Sequence, residues 1–452
     1  MNHSHIPRWP DDPGTHFAFP ERAPRLFPDR GSRLRNTVNR LLCAVAVAGI
    51  GGACWGFWLE YDENRDRAAS EKAIAEACGD VVDPAAVMDL GGGIDRAKVG
   101  SSHSDSFDLH PSVPGSCEIY RVGEPGTSYG YFALSFTPRP NEEYGNFVGA
   151  REEEPFGDRY DDDRPDDLTS TADYAPDQPL GDGRLGTFDD DTVSVNAVCS
   201  KPASKAGSTS GTSGPSLTSL TSLTIDVSAM YDDVPTGDRA RLADIAVHAA
   251  RRAADKLGCA TKVSEAPDAT LAAPGRRLAP AARADGTCAW YPRLLRTSAR
   301  GHLPDRALST PAAGQAWSER CLLALSPPAT ARAARESGEE ADDGLHGLDP
   351  WWAALDSWFG DEAKVVYAEA GYKSQRHLAP GTAGGYPRAN VWWASAVCRG
   401  VPTVHTLTVA DHYEKAVRKQ LGALLRAYVD DVTERRGCTD VKFPKPADFA
   451  TK

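Results

Sequence analysis

Residues 41–59 read LLCAVAVAGIGGACWGFWL, nineteen consecutive positions without a charge. As an α-helix this run rises about 28 Å, close to the hydrocarbon thickness of a bilayer. Trp55 and Trp58 stand at its far end, where amphipathic rings favour the lipid–water boundary. Arg33, Arg35 and Arg40 precede the run, whereas Glu60, Asp62 and Glu63 come after it. Basic residues stay on the cytoplasmic side of a membrane, so the pattern predicts a single-pass transmembrane helix at 41–59. Residues 1–40 are then cytoplasmic and everything after residue 60 is outside the cell. A cleaved signal peptide fits less well, because its apolar core spans roughly 7–15 residues behind a short basic region. Lipid attachment at Cys54 wants a Leu-type residue three positions earlier, where Gly51 stands. A buried core helix would not carry this charge asymmetry.

Before the span, 1–40 reads as a disordered tail: six Pro fall within the first 28 residues and no apolar period is present. Met1-Asn2-His3 has the spacing that chelates Cu(II) or Ni(II), but an ordinary tail is the simpler reading. Charge is uneven. Residues 1–40 carry seven Arg against four acids, so the net −13 of the chain leaves −16 for the residues after the span. Phosphate neutralisation needs a basic face, which excludes nucleic acid as a partner. Anionic envelope polymers are repelled as well unless a cation bridges them.

After the span, blocks recur in the same order. Gly115–Tyr120 pairs with Gly286–Tyr291, Phe132–Ser135 with Leu322–Ser326, Val193–Cys199 with Trp392–Cys398, and Thr224–Val227 with Thr406–Val409. Each block alternates or is β-branched and aromatic, as strands are. Each set ends in a helix closed by Gly-Cys. Leu242, Ile245, Ala246, Ala249 and Ala253 share one face of the first helix. Tyr413, Val417, Leu421, Leu424, Leu425, Tyr428 and Val432 share one face of the second. The expected fold is α+β: one N-terminal transmembrane helix, then two tandem α+β repeats at 60–259 and 260–442, each an antiparallel sheet covered by a long amphipathic helix, and a tail at 443–452. An acidic, Pro-rich loop (139–182) and a Ser/Thr/Gly loop (201–222) interrupt the first repeat.

Cys43 and Cys54 lie in the span, and eight cysteines remain outside. An even count in an oxidising compartment implies disulfides. Cys398 and Cys438 are 40 apart; Cys199 and Cys259 are 60 apart, and the Ser/Thr-rich insertion accounts for the excess. In each pair a strand ends at one Cys, the next strand runs back, and the helix returns to the same end. That leaves Cys78 for Cys117, and Cys288 for Cys321 on a neighbouring strand; Tyr131 takes the place of Cys321 in the first repeat. Each closed loop contributes roughly 3–4 kcal/mol in the chain-entropy account. Zinc is the alternative, but no Cys-x-x-Cys occurs.

No nucleophile elbow, zinc-protease, Walker or kinase motif is present, and neither a cofactor nor a catalytic residue is assigned. Asp161, Asp162, Asp163, Asp166 and Asp167 suit Ca²⁺ by charge but lack an EF-hand arrangement, so a solvated loop is preferred. Tryptophan is the informative class. Trp392 takes the place of Val193, facing inward, and Trp393 that of Ser194, facing outward. Trp351, Trp352 and Trp358 come after Pro350 in an expected short helix. Trp393, Trp351 and Trp352 are therefore the candidate binding residues, with simple packing as the alternative.

Anchor, blocks and composition together resemble the uncharacterised, membrane-anchored envelope proteins of actinobacteria, a likeness that carries over no active residue. It implies a non-catalytic surface protein that binds an envelope protein or polymer. The rival expectation is an envelope hydrolase using dispersed carboxylates, which requires a cleft with two carboxyl groups about 5–10 Å apart. A sensor passing signals inward fits poorly with a 40-residue Pro-rich tail.

Overall fold

The computed structural model describes residues 33–100, 107, 109–123, 127–141, 144–150, 155–156, 167–200, 220–267, 270–298, 301–337, 350–371 and 374–450. The tail before residue 33, four of the five clustered aspartates (Asp161, Asp162, Asp163 and Asp166) and the Ser/Thr/Gly stretch 201–219 lie outside the described residues. Two compact units are present, meeting within one helix at Arg65 and Asp66.

The first unit is the early part of α1 (Arg33–Ala77), a helix long and apolar enough to cross a membrane, with its apolar side chains exposed. It outruns the 41–59 stretch because 60–77 is rich in Glu and Ala, which favour helix without apolar period.

The second unit holds two antiparallel sheets. After α2 (Pro84–Met88), the first half supplies β1 (Ala97–Val99), β2 (Gly115–Val122), β3 (Ser128–Arg139), β4 (Asn146–Val148), β5 (Gln178–Leu180), β6 (Gly186–Phe188), β7 (Thr192–Val198), β8 (Ser222–Ala229) and α3 (Thr236–Leu257). All of these strands except β4 form the first sheet, ordered β1-β2-β3-β8-β7-β6-β5. The second half supplies β9 (Ala279–Pro280), α4 (Tyr291–Thr297), β10 (Arg306–Ser309), β11 (Ser318–Ala324), α5 (Pro327–Ser337), β12 (Trp352–Phe359), β13 (Val366–Glu369), β14 (Gln375–His377), β15 (Gly384–Tyr386), β16 (Val391–Cys398), β17 (Val401–Val409), α6 (Asp411–Val417), α7 (Leu421–Arg436) and β18 (Cys438–Lys442). The second sheet runs β15-β16-β17-β12-β11-β10-β9, with β18 added on β16. Strand β4 leaves the first half and pairs in parallel with β13, making a small third sheet with β14. That approach needs glycine: a Cβ on Gly149 would stand 2.3 Å from the Glu369 carbonyl oxygen.

One face of each sheet is apolar and covered by helix. Phe132, Leu134, Val193, Val195, Ile225 and Val227 pack under α3, whose alanines let the helix lie close. Leu323, Leu355, Trp392, Ala394 and Leu407 pack under α7 through Leu421, Leu424, Leu425 and Tyr428. Both long helices end on a left-handed glycine, Gly258 or Gly437, and the cysteine comes directly after it. The second helix is not continuous: a 3₁₀ turn at Arg418–Gln420 separates α6 from α7.

Cysteines pair as Cys78–Cys117, Cys199–Cys259, Cys288–Cys321 and Cys398–Cys438, while Cys43 and Cys54 stay free and exposed on α1.

Two expectations are corrected. Gly286–Tyr291 is not a strand matching β2: Gly286–Cys288 is a 3₁₀ turn and Tyr291 opens α4. A β-length alternating run is too short to distinguish strand from helix, and Pro292 at the first turn favours helix. The strand beside β12 is β11, which carries Cys321, whereas Cys288 lies on the 3₁₀ turn. Trp352–Phe359 is a strand and not a short helix; all eight residues are buried, as in a strand covered on both faces.

Candidate functional site

The faces turned away from the helices carry polar residues on β7, β8, β11 and β12, and in the second unit these line one cleft. Along β7, Val193, Val195 and Ala197 point to the core, so Ser194 and Asn196 point the other way. By the same alternation β8 presents Thr224 and Asp226, β11 presents Ser318 and Arg320, and β12 presents Asp356 and Trp358. The cleft has two adjoining lobes, of about 460 and 220 Å³, and Asp177, Ser318 and Trp358 line both.

Its charges divide into paired and unpaired. Asp356, 3% exposed, accepts a hydrogen bond from Arg320 Nε at 2.5 Å, and its other oxygen has no partner among the described residues. Glu362 lies 3.0 Å from Arg139 Nε and accepts from Asn146 Nδ2. Glu319 is held from behind by Arg435 and Arg436. Among the described residues Asp226 accepts only hydroxyls, from Ser194 at 2.5 Å and Ser135 at 3.1 Å. Asp189 accepts the backbone N–H groups of Thr192 and Asp191. Asp177 keeps solvent-exposed surface, but that surface faces the cleft, between its walls.

Dehydration by those walls pushes the Asp177 carboxyl up, with Asp226 and Asp356 adding to it, although Arg320 opposes from a distance. Asp189 is pushed up to about 6, again chiefly by burial, against its two backbone hydrogen bonds. At one edge of the cleft, burial pushes Asp361 up. Hydrogen bonds from Lys364, Thr221 and Ser222 outweigh it and hold the group below its ordinary value. Among the described residues no group of three or more His, Cys, Asp or Glu side chains is placed to hold a metal ion. The cleft can hold a polar ligand: Asn196 Oδ1 and one Asp356 oxygen are free acceptors among the described residues, the Thr224 hydroxyl is free to donate or accept, and Arg139 Nε is ion-paired with Glu362 without a hydrogen bond.

A second polar cluster lies under α7. Ser357 Oγ is 2.7 Å from His405 Nδ1 and 2.8 Å from the Tyr428 hydroxyl. All three residues are fully buried. Burial lowers His405 to about 3, and Arg436 and Arg435 add to the effect. A serine beside a histidine is a nucleophile's arrangement, but no substrate reaches this one.

The sequence candidates stand elsewhere. Trp351, Trp352 and Trp393 are 4%, 3% and 3% exposed, so none offers a face for stacking. Trp351 packs on Tyr413 with ring centres 5.6 Å apart. Trp393 does face away from α7, but β15 and the small third sheet cover that side; its Nε1 donates to Thr382 and Arg376 lies 4.8 Å from its ring. The aromatic residues that do meet the cleft are Trp358, Trp317 and the exposed Tyr174. Sequence reasoning missed the cleft carboxylates. Their one signal was a polar residue at every second position of strands, such as Thr224 and Asp226 between Leu223 and Val227, which reads equally well as a solvated face.

Comparison with known proteins finds no family model, no curated protein and no solved structure that matches this chain.

Proposed function

We propose that this is a single-pass envelope protein, with the residues before the helix cytoplasmic and an outer domain that binds an envelope component between its two sheets. The observation that carries the reading is the intersheet cleft, lined by polar side chains that the described residues leave unpaired. A buried acceptor left without a donor costs about 1–3 kcal/mol, so a ligand that supplies donors to these groups gains by binding there. Arginines before the span, acids after it and four disulfides support the outside location. The actinobacterial envelope setting rests on the resemblance alone.

The same reading takes the two sheets as copies of one unit. Its support is the shared strand order, with β8 and β17 central and each leading to a helix that ends in Gly-Cys. The disulfides agree once β11 is matched to β2: each half then ties β2 or β11 to an earlier segment, and the end of β7 or β16 to the helix end.

The test uses full-length protein in lipid nanodiscs and isolated envelope fractions. Wild type is expected to retain a component that Ser194→Trp, which fills the smaller lobe, does not. Equal retention by the variant sinks the cleft as the binding site. Protease added to intact cells should degrade the C-terminal part; protection there reverses the topology.

One observation favours the hydrolase reading as a second choice: Asp189, held to about 6, shares the cleft with Asp177 and Asp226. It requires release of soluble fragments from labelled envelope glycan, abolished by Asp189→Asn or Asp177→Asn.

A further inference from the structure

The cleft has more acceptors than donors, and this bears on the ligand it binds. Among the described residues, Oδ1 of the 9% exposed Asn196 has no hydrogen-bond partner, and the second carboxylate oxygen of the 3% exposed Asp356 has none either. Both residues line the cleft, in different lobes. The strong donors that line it, Arg320 and Arg139, are already engaged by Asp356 and Glu362. Asp177, Asp189 and Asp226 form no ion pair among the described residues, which leaves the cleft net negative. Two independent demands therefore coincide: unpartnered neutral and charged acceptors call for N–H donors, and the surplus of carboxylates calls for positive charge.

We propose that the cleft recognises an amine-bearing ligand, its protonated ammonium group held by Asp177 and Asp226 with Asn196 Oδ1 as a neutral acceptor. This rests on the cleft being the binding site. An ammonium group supplies three donors and one positive charge in a compact head, which answers both demands at once. A bare metal ion is a poorer match, because the carboxylates are not gathered into a ligand set.

The experiment is calorimetric titration of the full-length protein in nanodiscs with putrescine, 1,4-butanediol and succinate, which are of similar length and differ in charge. Putrescine is expected to bind saturably and the other two not to. Asp177→Asn and Asp226→Asn should each weaken putrescine at least about tenfold, and Asn196→Leu, which removes an acceptor without changing charge, by several-fold. Thermal unfolding of each variant is read alongside, and Asn196→Leu keeps the test decisive should one carboxylate variant fail to fold. Butanediol binding as well as putrescine, succinate binding better, or putrescine binding unchanged in all three variants overturns the proposal. Envelope capture that depends on Ser194 without any putrescine binding retains the cleft and rejects the amine. Envelope capture indifferent to Ser194→Trp removes the cleft itself.

Discussion

The serine–histidine–tyrosine cluster under α7 and the carboxylates between the sheets come from the same source, polar residues at alternate positions of strands. They differ in which side of the strand those positions fall on. Ser357 and His405 are neighbours across β12 and β17 on the helix-covered face, where nothing reaches them. Asp356, one residue away, is turned to the opposite face and the cleft. Identity and local spacing thus say less about chemistry than the layer that covers each face. A reactive-looking pair becomes a packing element, and ordinary surface-type carboxylates become the candidate site.

The largest break between the two sides comes from removing bulk. Trp392 is fully buried on the helix side, donates from Nε1 to the Asp448 carbonyl at 2.9 Å and stacks on Phe449. Trp392→Ala should lower stability by about 3–5 kcal/mol. Tyr174→Ala, at the 76% exposed rim of the cleft, should stay within about 0.5 kcal/mol. Chemical denaturation of both variants in nanodiscs measures the contrast, and similar losses would mean that the cleft rim is part of the core.

A smaller effect tests whether the buried cluster is structural. Ser357→Ala leaves His405 Nδ1 and the Tyr428 hydroxyl without this partner and should cost about 1–3 kcal/mol, with ligand binding unchanged. The histidine adds a pH signature. Its folded value, about 3, lies below its ordinary 6.5, so the folded state resists the proton that the unfolded chain accepts. Stability from the neutral imidazole is present above pH 6.5 and declines as pH falls from there toward 3. His405→Asn should flatten the pH dependence over that window relative to wild type. An unchanged slope would mean that the imidazole is already protonated in the fold.

The legible part of the sequence was local or symmetric. The uncharged run at 41–59 announces its helix by length, and the Gly-Cys endings mark where both long helices stop. The four cysteine pairs come from comparing the halves, and the structure holds the same four. The remainder depends on distant chain. Trp393 alternates outward as its strand requires, yet residues 366–369 and 384–386 come back to cover it, and nothing near position 393 signals this. Trp351 and Trp352 look like a helix start after Pro350 because the sheet that demands an extended strand there is completed by β11 and β17. Asp177, Asp226 and Asp356 are spread over about 180 residues, so no spacing motif could have joined them.

The finest difference between the two sides is electrostatic. Asp189 is held to about 6 against an ordinary 3.8, mainly by dehydration and partly by Asp177 and Asp191. A raised folded value means that stability is complete below pH 3.8 and is lost as pH rises through 6, since the fold then bears an ionised group it disfavours. Asparagine mimics the protonated form, and its Oδ1 can still accept from the Thr192 and Asp191 N–H groups. Asp189→Asn should therefore match wild type near pH 4 and exceed it at pH 7.5 by about 1 kcal/mol, the cleft's water damping a larger effect. This is the reverse of the histidine case: acid favours the fold at the cleft and opposes it under α7. Melting temperatures from pH 4 to 8 separate the two, and an Asp189→Asn variant less stable than wild type at pH 7.5 would show that the carboxylate is stabilised as an anion, turning the cleft from a strained acceptor site into a satisfied one.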